Sequence, residues 1–203
     1  MEDVQAVLRA VEATPVGNMV VFALYTGARI GEVLGIQWRS IDLERRQATI
    51  ATALQRLQRQ WALVEPKSEK SRRPLQLPGP AVEALRSERR KQLERQLVAG
   101  PRWQQRIPDL CFTDELGGPM LGTTVLLHFR NALREAGLEP LKFHHLRHLH
   151  GALLLLNGVD IATIRDVLGH SSVALTASTY AGVMPALRQD AADKLERLLA
   201  RPS

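Results

Sequence analysis

The chain has 203 residues, 45% of them apolar, enough to bury one sizeable core, and it reads as a single domain over residues 1–203. Lys and Arg outnumber Asp and Glu by 27 to 21, a formal +6 that favours a polyanionic partner. The one cysteine, Cys111, excludes an intramolecular disulfide and a cysteine-based zinc site. No apolar run reaches the ~18 residues of a membrane span, and the acidic, amphipathic start MEDVQAVLRAVEA is unlike a signal peptide, so a cytoplasmic protein is expected.

Residues 2–13 place Val4, Val7, Leu8 and Val11 at helical spacing and stop at Thr14-Pro15. A second helix is expected over NMVVFALY, and after Gly27 a short third one in ARIGEVLGIQW, closed by Gly35. From Asp42 to Leu77 the texture changes to short β-branched or alternating stretches, QATIATAL, QWALVEP and RRPLQLP, which predict a three-stranded antiparallel meander. A long charged helix follows, with Pro80 near its first turn and Gly100-Pro101 at its end, and with Val82, Leu85, Leu93 and Leu97 expected inward. Leu110, Cys111 and Phe112 suggest a short strand with a core thiol.

Beyond the turn TDELGGPM, a helix carries Val125, Leu126, Phe129 and Leu133. LKFHHLRHLHGALLLLN is the next helix, ending at Gly158; DIATIRDVL then has Asp160 as N-cap and Gly169 as stop. A segment from Ser172 through Tyr180 and a last amphipathic helix, PALRQDAADKLERLLA, complete a chain that is mainly α with a small three-stranded antiparallel β-sheet, an α+β class.

Four polar constellations stand out. In TGARIGEVLGIQW, Arg29 follows a glycine turn at a helix start, and Glu32, three positions on, can brace it; in isolation this is also a common surface ion pair. EPKSEKSRRPLQLP puts Lys67, Lys70, Arg72 and Arg73 around the last β-turn, where cations are usually solvated but can reach a phosphate backbone. In FHHLRHLH, His144, Arg147 and His148 share a helical face while His145 turns elsewhere. A His144–His148 metal pair is disfavoured: the glutamate of HExxH is missing, no acid lies between Glu139 and Asp160, and Arg147 repels a cation. LGHSSVALTASTYAGV offers His170 and, ten residues on, Tyr180. Cations, imidazoles and one nucleophile, without a carboxylate dyad or metal cage, suit phosphoryl transfer, which needs chiefly positioning and electrostatic stabilisation.

In order and wording these four boxes resemble the catalytic domain of the tyrosine recombinase (phage integrase) family, over nearly the whole chain. The resemblance implies that Arg29 and Arg147 clamp a scissile phosphate, with Glu32 as brace. It makes Lys67 the general acid, with Lys70 as its competitor, lets His144 assist proton transfer and His170 hydrogen-bond the phosphate, and has Tyr180 attack phosphorus. Lys70, Arg72 and Arg73 would meet DNA. The partners implied are double-stranded DNA and further copies of the chain, four on two duplexes, from a protein that is monomeric alone; no cofactor and no metal are expected. His145 stands where the family commonly has Asp. The family's additional N-terminal helical domain is not expected within this chain. Two rival readings are a DNA-binding remnant that completes no reaction and a type IB topoisomerase, which the LGHSS spelling disfavours.

Overall fold

A computed structural model describes residues 2–58, 60–65 and 72–183. Helices α1 (Glu2–Val11), α2 (Gly17–Thr26) and α3 (Ile30–Gly35) come first, as their apolar spacing predicts. α2 is the centre of the fold: Met19, Val20, Phe22 and Ala23 are buried, and it packs against α4 (Gly79–Ala99) and α6 (Phe143–Leu156). A helix apolar on every side is stable only when covered on every side.

The β region differs from a three-stranded meander. Strands β1 (Ile41–Asp42), β2 (Gln47–Ile50) and β5 (Arg73–Gln76) form one antiparallel sheet in the order β1-β2-β5, with Ala48 opposite Leu75 and Ile50 opposite Arg73. Strands β3 (Ala53–Leu57) and β4 (Gln60–Val64) make a separate hairpin. QATIATAL is therefore two strands, not one. The chain leaves the sheet at Ala51-Thr52, where the Thr52 hydroxyl donates to the Gly35 carbonyl at 3.2 Å. The hairpin then packs on α3 so closely that a Cβ on Gly35 would sit 2.6 Å from the Leu54 nitrogen.

Helix α4 carries Pro80 in its first turn and buries Val82 and Leu85 as expected. Leu93 and Leu97, however, are 49% and 82% exposed. The inner face of its second half is instead polar: Gln92 accepts from the Trp38 indole at 2.8 Å and donates to the Leu110 carbonyl at 2.7 Å. The DLCF segment is held by one isolated bridge, Leu110 to Gln37, rather than by a strand, and Cys111 is a buried thiol whose ionisation burial pushes well up.

α5 (Gly122–Glu135) buries Val125, Phe129 and Leu133, whereas Leu126 is 42% exposed. Phe129 meets Phe143 of α6 edge to face at 5.7 Å. α7 (Ile161–Leu168) begins as its cap predicts, with the Asp160 carboxylate accepting from the amides of Ala162 and Thr163, and it stops at left-handed Gly169 (φ 65°). α8 (Val173–Thr179) closes a small second core of Leu155, Ile164, Leu168 and Tyr180. The amphipathic helix expected after Pro185 lies outside the described residues. Among those described, no helix is long and apolar enough to cross a membrane.

Candidate active site

The site is built around the end of α7. The last carbonyls of a helix lack intrahelical donors and carry the negative end of its dipole. Three successive ones here accept from three arginines on three other segments. Val167 O receives Arg73 Nε at 2.8 Å, Leu168 O receives Arg147 Nη2 at 2.5 Å, and Gly169 O receives Arg29 Nη2 at 3.4 Å. His170 follows directly, so the ladder sets where its ring starts.

Each arginine has a second anchor. Gly27, left-handed at φ 64°, ends α2 and turns its carbonyl toward Arg147 Nη1, which donates to it at 2.7 Å. Arg29, at the start of α3, gives its backbone N–H to Glu32 Oε2 at 2.9 Å and its Nη1 to Oε1 at 2.8 Å. Arg73 spans both Glu32 oxygens, with Nη1 to Oε1 at 3.2 Å and Nη2 to Oε2 at 2.9 Å. Burial by itself would raise the Glu32 carboxyl, but hydrogen bonds and charge from Arg73 and Arg29 hold it below the usual carboxylate range.

Arg29 and Arg147 therefore lie on the same helix end, but are unequally exposed. The Arg29 side chain keeps 42% of its surface exposed, while Arg147 is only 3% exposed. Burial, then the nearby charges of Arg29 and Arg73, lower the ionisation of Arg147. An incoming anion would relieve that excess of positive charge. Beside the two arginines runs a groove of about 790 Å³ whose walls include Ile30, Leu126 and Leu127, with His144 at its edge.

The histidines divide by environment. His144 is exposed on the first turn of α6, its ring edge-on to His148 at 4.4 Å between centroids; burial, then His148, lowers its proton affinity. His145 is 6.2 Å from His148, nearer to the cluster than a residue turned elsewhere would be. His170 Nδ1 lies 2.9 Å from Thr176 Oγ1, and burial, then Arg147 and Arg29, depress its pKa to about 4. His150, which the motif reading passed over, donates from Nδ1 to the Leu24 carbonyl at 2.9 Å and is also pushed by burial to about 4.

Both His150 and His170 ionise below the ordinary value of ~6.5, so the unfolded chain binds more protons between that pH and 4. Stability from these rings is present above ~6.5 and is lost as pH falls toward 4. A His150→Phe variant should lose less of its thermal midpoint between pH 7 and 5 than the parent. Equal losses in the two proteins would show that His150 does not carry this acid sensitivity.

Tyr180 is withdrawn from solvent. It is 3% exposed, and its ring lies against Gly151, where a Cβ would collide with the phenol oxygen. The hydroxyl is buried with no hydrogen-bond partner among the described residues, and burial raises its ionisation while Arg147 opposes the rise.

Lys67 and Lys70 lie outside the described residues. Arg72 is exposed, as a phosphate contact requires, but Arg73 is 3% exposed and committed to Glu32 and Val167. The expectation that Arg73 meets DNA is corrected: its side chain faces the core. A signal for this was present, because Arg73 and Leu75 alternate on the buried face of β5 and Leu77, just past its end, keeps the same phase. Gly151, set before a run of leucines inside a helix, likewise signalled a close approach. Among the described residues no three His, Cys, Asp or Glu side chains are grouped so as to hold a metal ion.

A model of the phage integrase family matches residues 2–186. A tyrosine recombinase XerC-like protein of Caldanaerobacter subterraneus subsp. tengcongensis is 28% identical over 97% of this chain and 53% of its own length. An integrase of Streptomyces ambofaciens is 33% identical over 87% of the chain and 46% of its own length. The chain thus spans about half the length of these curated relatives. Among solved structures, the Tn1549 transposon integrase in complex with transposon right end DNA superposes with a TM-score of 0.80 at 21% identity, covering 97% of this chain and 64% of that one. XerA recombinase gives 0.73 at 20%, covering 94% and 63%. At such identities these structures speak for the shared fold.

Proposed function

The chain belongs to the phage integrase family, and from that premise we propose that it is the catalytic domain of a site-specific DNA recombinase, cutting and rejoining double-stranded DNA through Tyr180. The observation that carries this reading is the convergence of Arg29, Arg147 and His170 on the end of α7, with Tyr180 one short helix further on. Two guanidiniums and an imidazole supply directional positive charge for the oxygens of a phosphodiester, and no metal ion is required in that role.

In the forward step the Tyr180 oxygen bonds to phosphorus and the P–O5′ bond breaks, leaving a 3′-phosphotyrosyl link and a 5′-hydroxyl. Lys67 is the proposed acid that protonates the departing oxygen, and His144 the aid to proton transfer. Rejoining reverses the step with a 5′-hydroxyl as nucleophile, so no external energy source is consumed. Tyr180 must first leave its niche on Gly151, after which the positive field lowers the cost of its phenolate. The Thr176 hydroxyl also reaches the Ser172 carbonyl at 3.2 Å; donating there, it accepts from His170 Nδ1–H and leaves Nε2 unprotonated on the neutral ring. Donation from Nε2 to phosphate then requires the ring to gain a proton, which the anion's own charge promotes.

Lys70 and Arg72 are the proposed backbone contacts of the basic turn, and assembly of four copies on two duplexes, from a monomer in the cytoplasm, completes the reading. The test uses end-labelled duplex DNA from sequences flanking the gene, nicked so that a cleaved strand cannot rejoin. The expected result is a covalent protein–DNA band on a denaturing gel with the parent protein and none with Tyr180→Phe. DNA binding without any adduct, or an adduct that survives Tyr180→Phe, would refute the assignment.

A further inference from the structure

Arg73 never reaches solvent, yet it touches both halves of the clamp. Its Nη atoms hold the carboxylate that orients Arg29, and its Nε holds the Val167 carbonyl three residues before His170. Its stem also runs under Gly169, where a Cβ would stand 3.2 Å from Arg73 Cδ and Nη1. We infer that Arg73 is a positioning residue for phosphoryl transfer: by tying Glu32 to the last turn of α7, it sets the distance between Arg29 and His170. The inference rests on the function proposed above.

Stability alone is a weak reason for such a contact. A buried ion pair is often matched or bettered by well-packed apolar side chains, because desolvation offsets most of the Coulomb attraction. What apolar side chains cannot supply is direction. A guanidinium fork addresses two carboxylate oxygens and a carbonyl lying in different directions, whereas an ammonium on a flexible stem fixes none of them in orientation. The three contacts join β5 to α3, 41 residues away, and to the end of α7, 94 residues away. They add to the 3.4 Å contact that Arg29 makes with the Gly169 carbonyl, and they come from a third element.

The test measures single-turnover adduct formation on nicked DNA at saturating protein, with Arg73→Lys and Arg73→Gln beside the parent, and reads the rate constant separately from the amplitude. Loss of folded protein lowers the amplitude and leaves the rate constant alone. Misplacement of the clamp lowers the rate constant, by up to about 100-fold for a displacement near 1 Å. Both variants should keep the parent's circular dichroism and bind DNA within about threefold, while Arg73→Lys reacts at least about tenfold more slowly. A folded, DNA-binding variant with no adduct at all is the same result at its extreme. Parental rate constants with reduced amplitudes, or failure of both variants to fold, would make Arg73 a purely structural residue and overturn the inference while leaving the recombinase reading intact. Absence of adduct from the parent itself would overturn that reading, and this inference with it.

Discussion

Replacing Glu32 by alanine should lower the thermal midpoint by roughly 6–20 °C, the equivalent of about 3–5 kcal/mol in a chain of this size. The carboxylate accepts from both Nη atoms of Arg73 and from the backbone and side chain of Arg29, and it is itself 6% exposed. Its removal takes away the carboxylate that both Nη atoms of the buried Arg73 guanidinium address, and breaking a buried ion pair from one side is the costly way to break it. Glu32→Gln should cost less, because it keeps the shape and one acceptor oxygen, yet its amide N–H groups face a cation's donors. Thermal denaturation of the three proteins at pH 7 checks the order, and a Glu32→Ala loss below about 1 kcal/mol would show that water or a neighbour replaces the carboxylate. The pH dependence has a definite sign. The folded-state ionisation is lowered, so the stabilisation is present above the ordinary carboxylate value and is lost as pH falls through the lower folded one.

Gly151→Ala should evict Tyr180, the proposed nucleophile, from its niche. The added methyl group would occupy the space of the Tyr180 hydroxyl, and a phenol cannot yield there without leaving the small core of Leu155, Ile164 and Leu168. The expected cost is about 1–3 kcal/mol, typical of forcing a methyl into a packed site. The gain is access. Ionisation of Tyr180 should fall back toward the ordinary ~10, and its nitration should accelerate. The chain has two tyrosines, and half-buried Tyr25, packed on the main core, is the internal reference. Peptide mapping after brief nitration reads both; a Tyr180-to-Tyr25 ratio unchanged by the substitution would mean that the ring accommodates the methyl group in place.

Features that depend on near neighbours in sequence were legible there. Asp160 and Gly169 announce the ends of α7 because caps act within one helical turn, and the Arg29–Glu32 spacing announces a brace for the same reason. Features decided by distant partners were not. Lys67 to Arg73 reads as a solvated basic turn; the alternation of Arg73 with Leu75 hints at burial, but the carboxylate 41 residues earlier that receives Arg73 is not readable from it. Leu93 and Leu97 have core spacing but face solvent, because Glu88 and Gln92 already meet the polar groups of Asn18, Trp38 and Leu110 on the inner side. The break between β2 and β3 was hidden for a similar reason: Ala51-Thr52 carries no glycine or proline to mark a turn, and it sits where α3 deflects the chain. Tyr180 is identifiable as a residue type, but its withdrawn position depends on the missing side chain of Gly151, 29 residues back.

The carbonyl ladder also has a consequence for how the protein comes into being. Its rungs join residues 94, 140 and 21 positions apart, and the second anchor of Arg147 reaches back 120. Contacts of such separation form late, after shorter loops have closed. A nascent chain that has emerged only as far as α6 already holds both clamp arginines but has no rung to set them against. On the proposed function, the arginine clamp thus stays incomplete during synthesis until the end of α7 has been made.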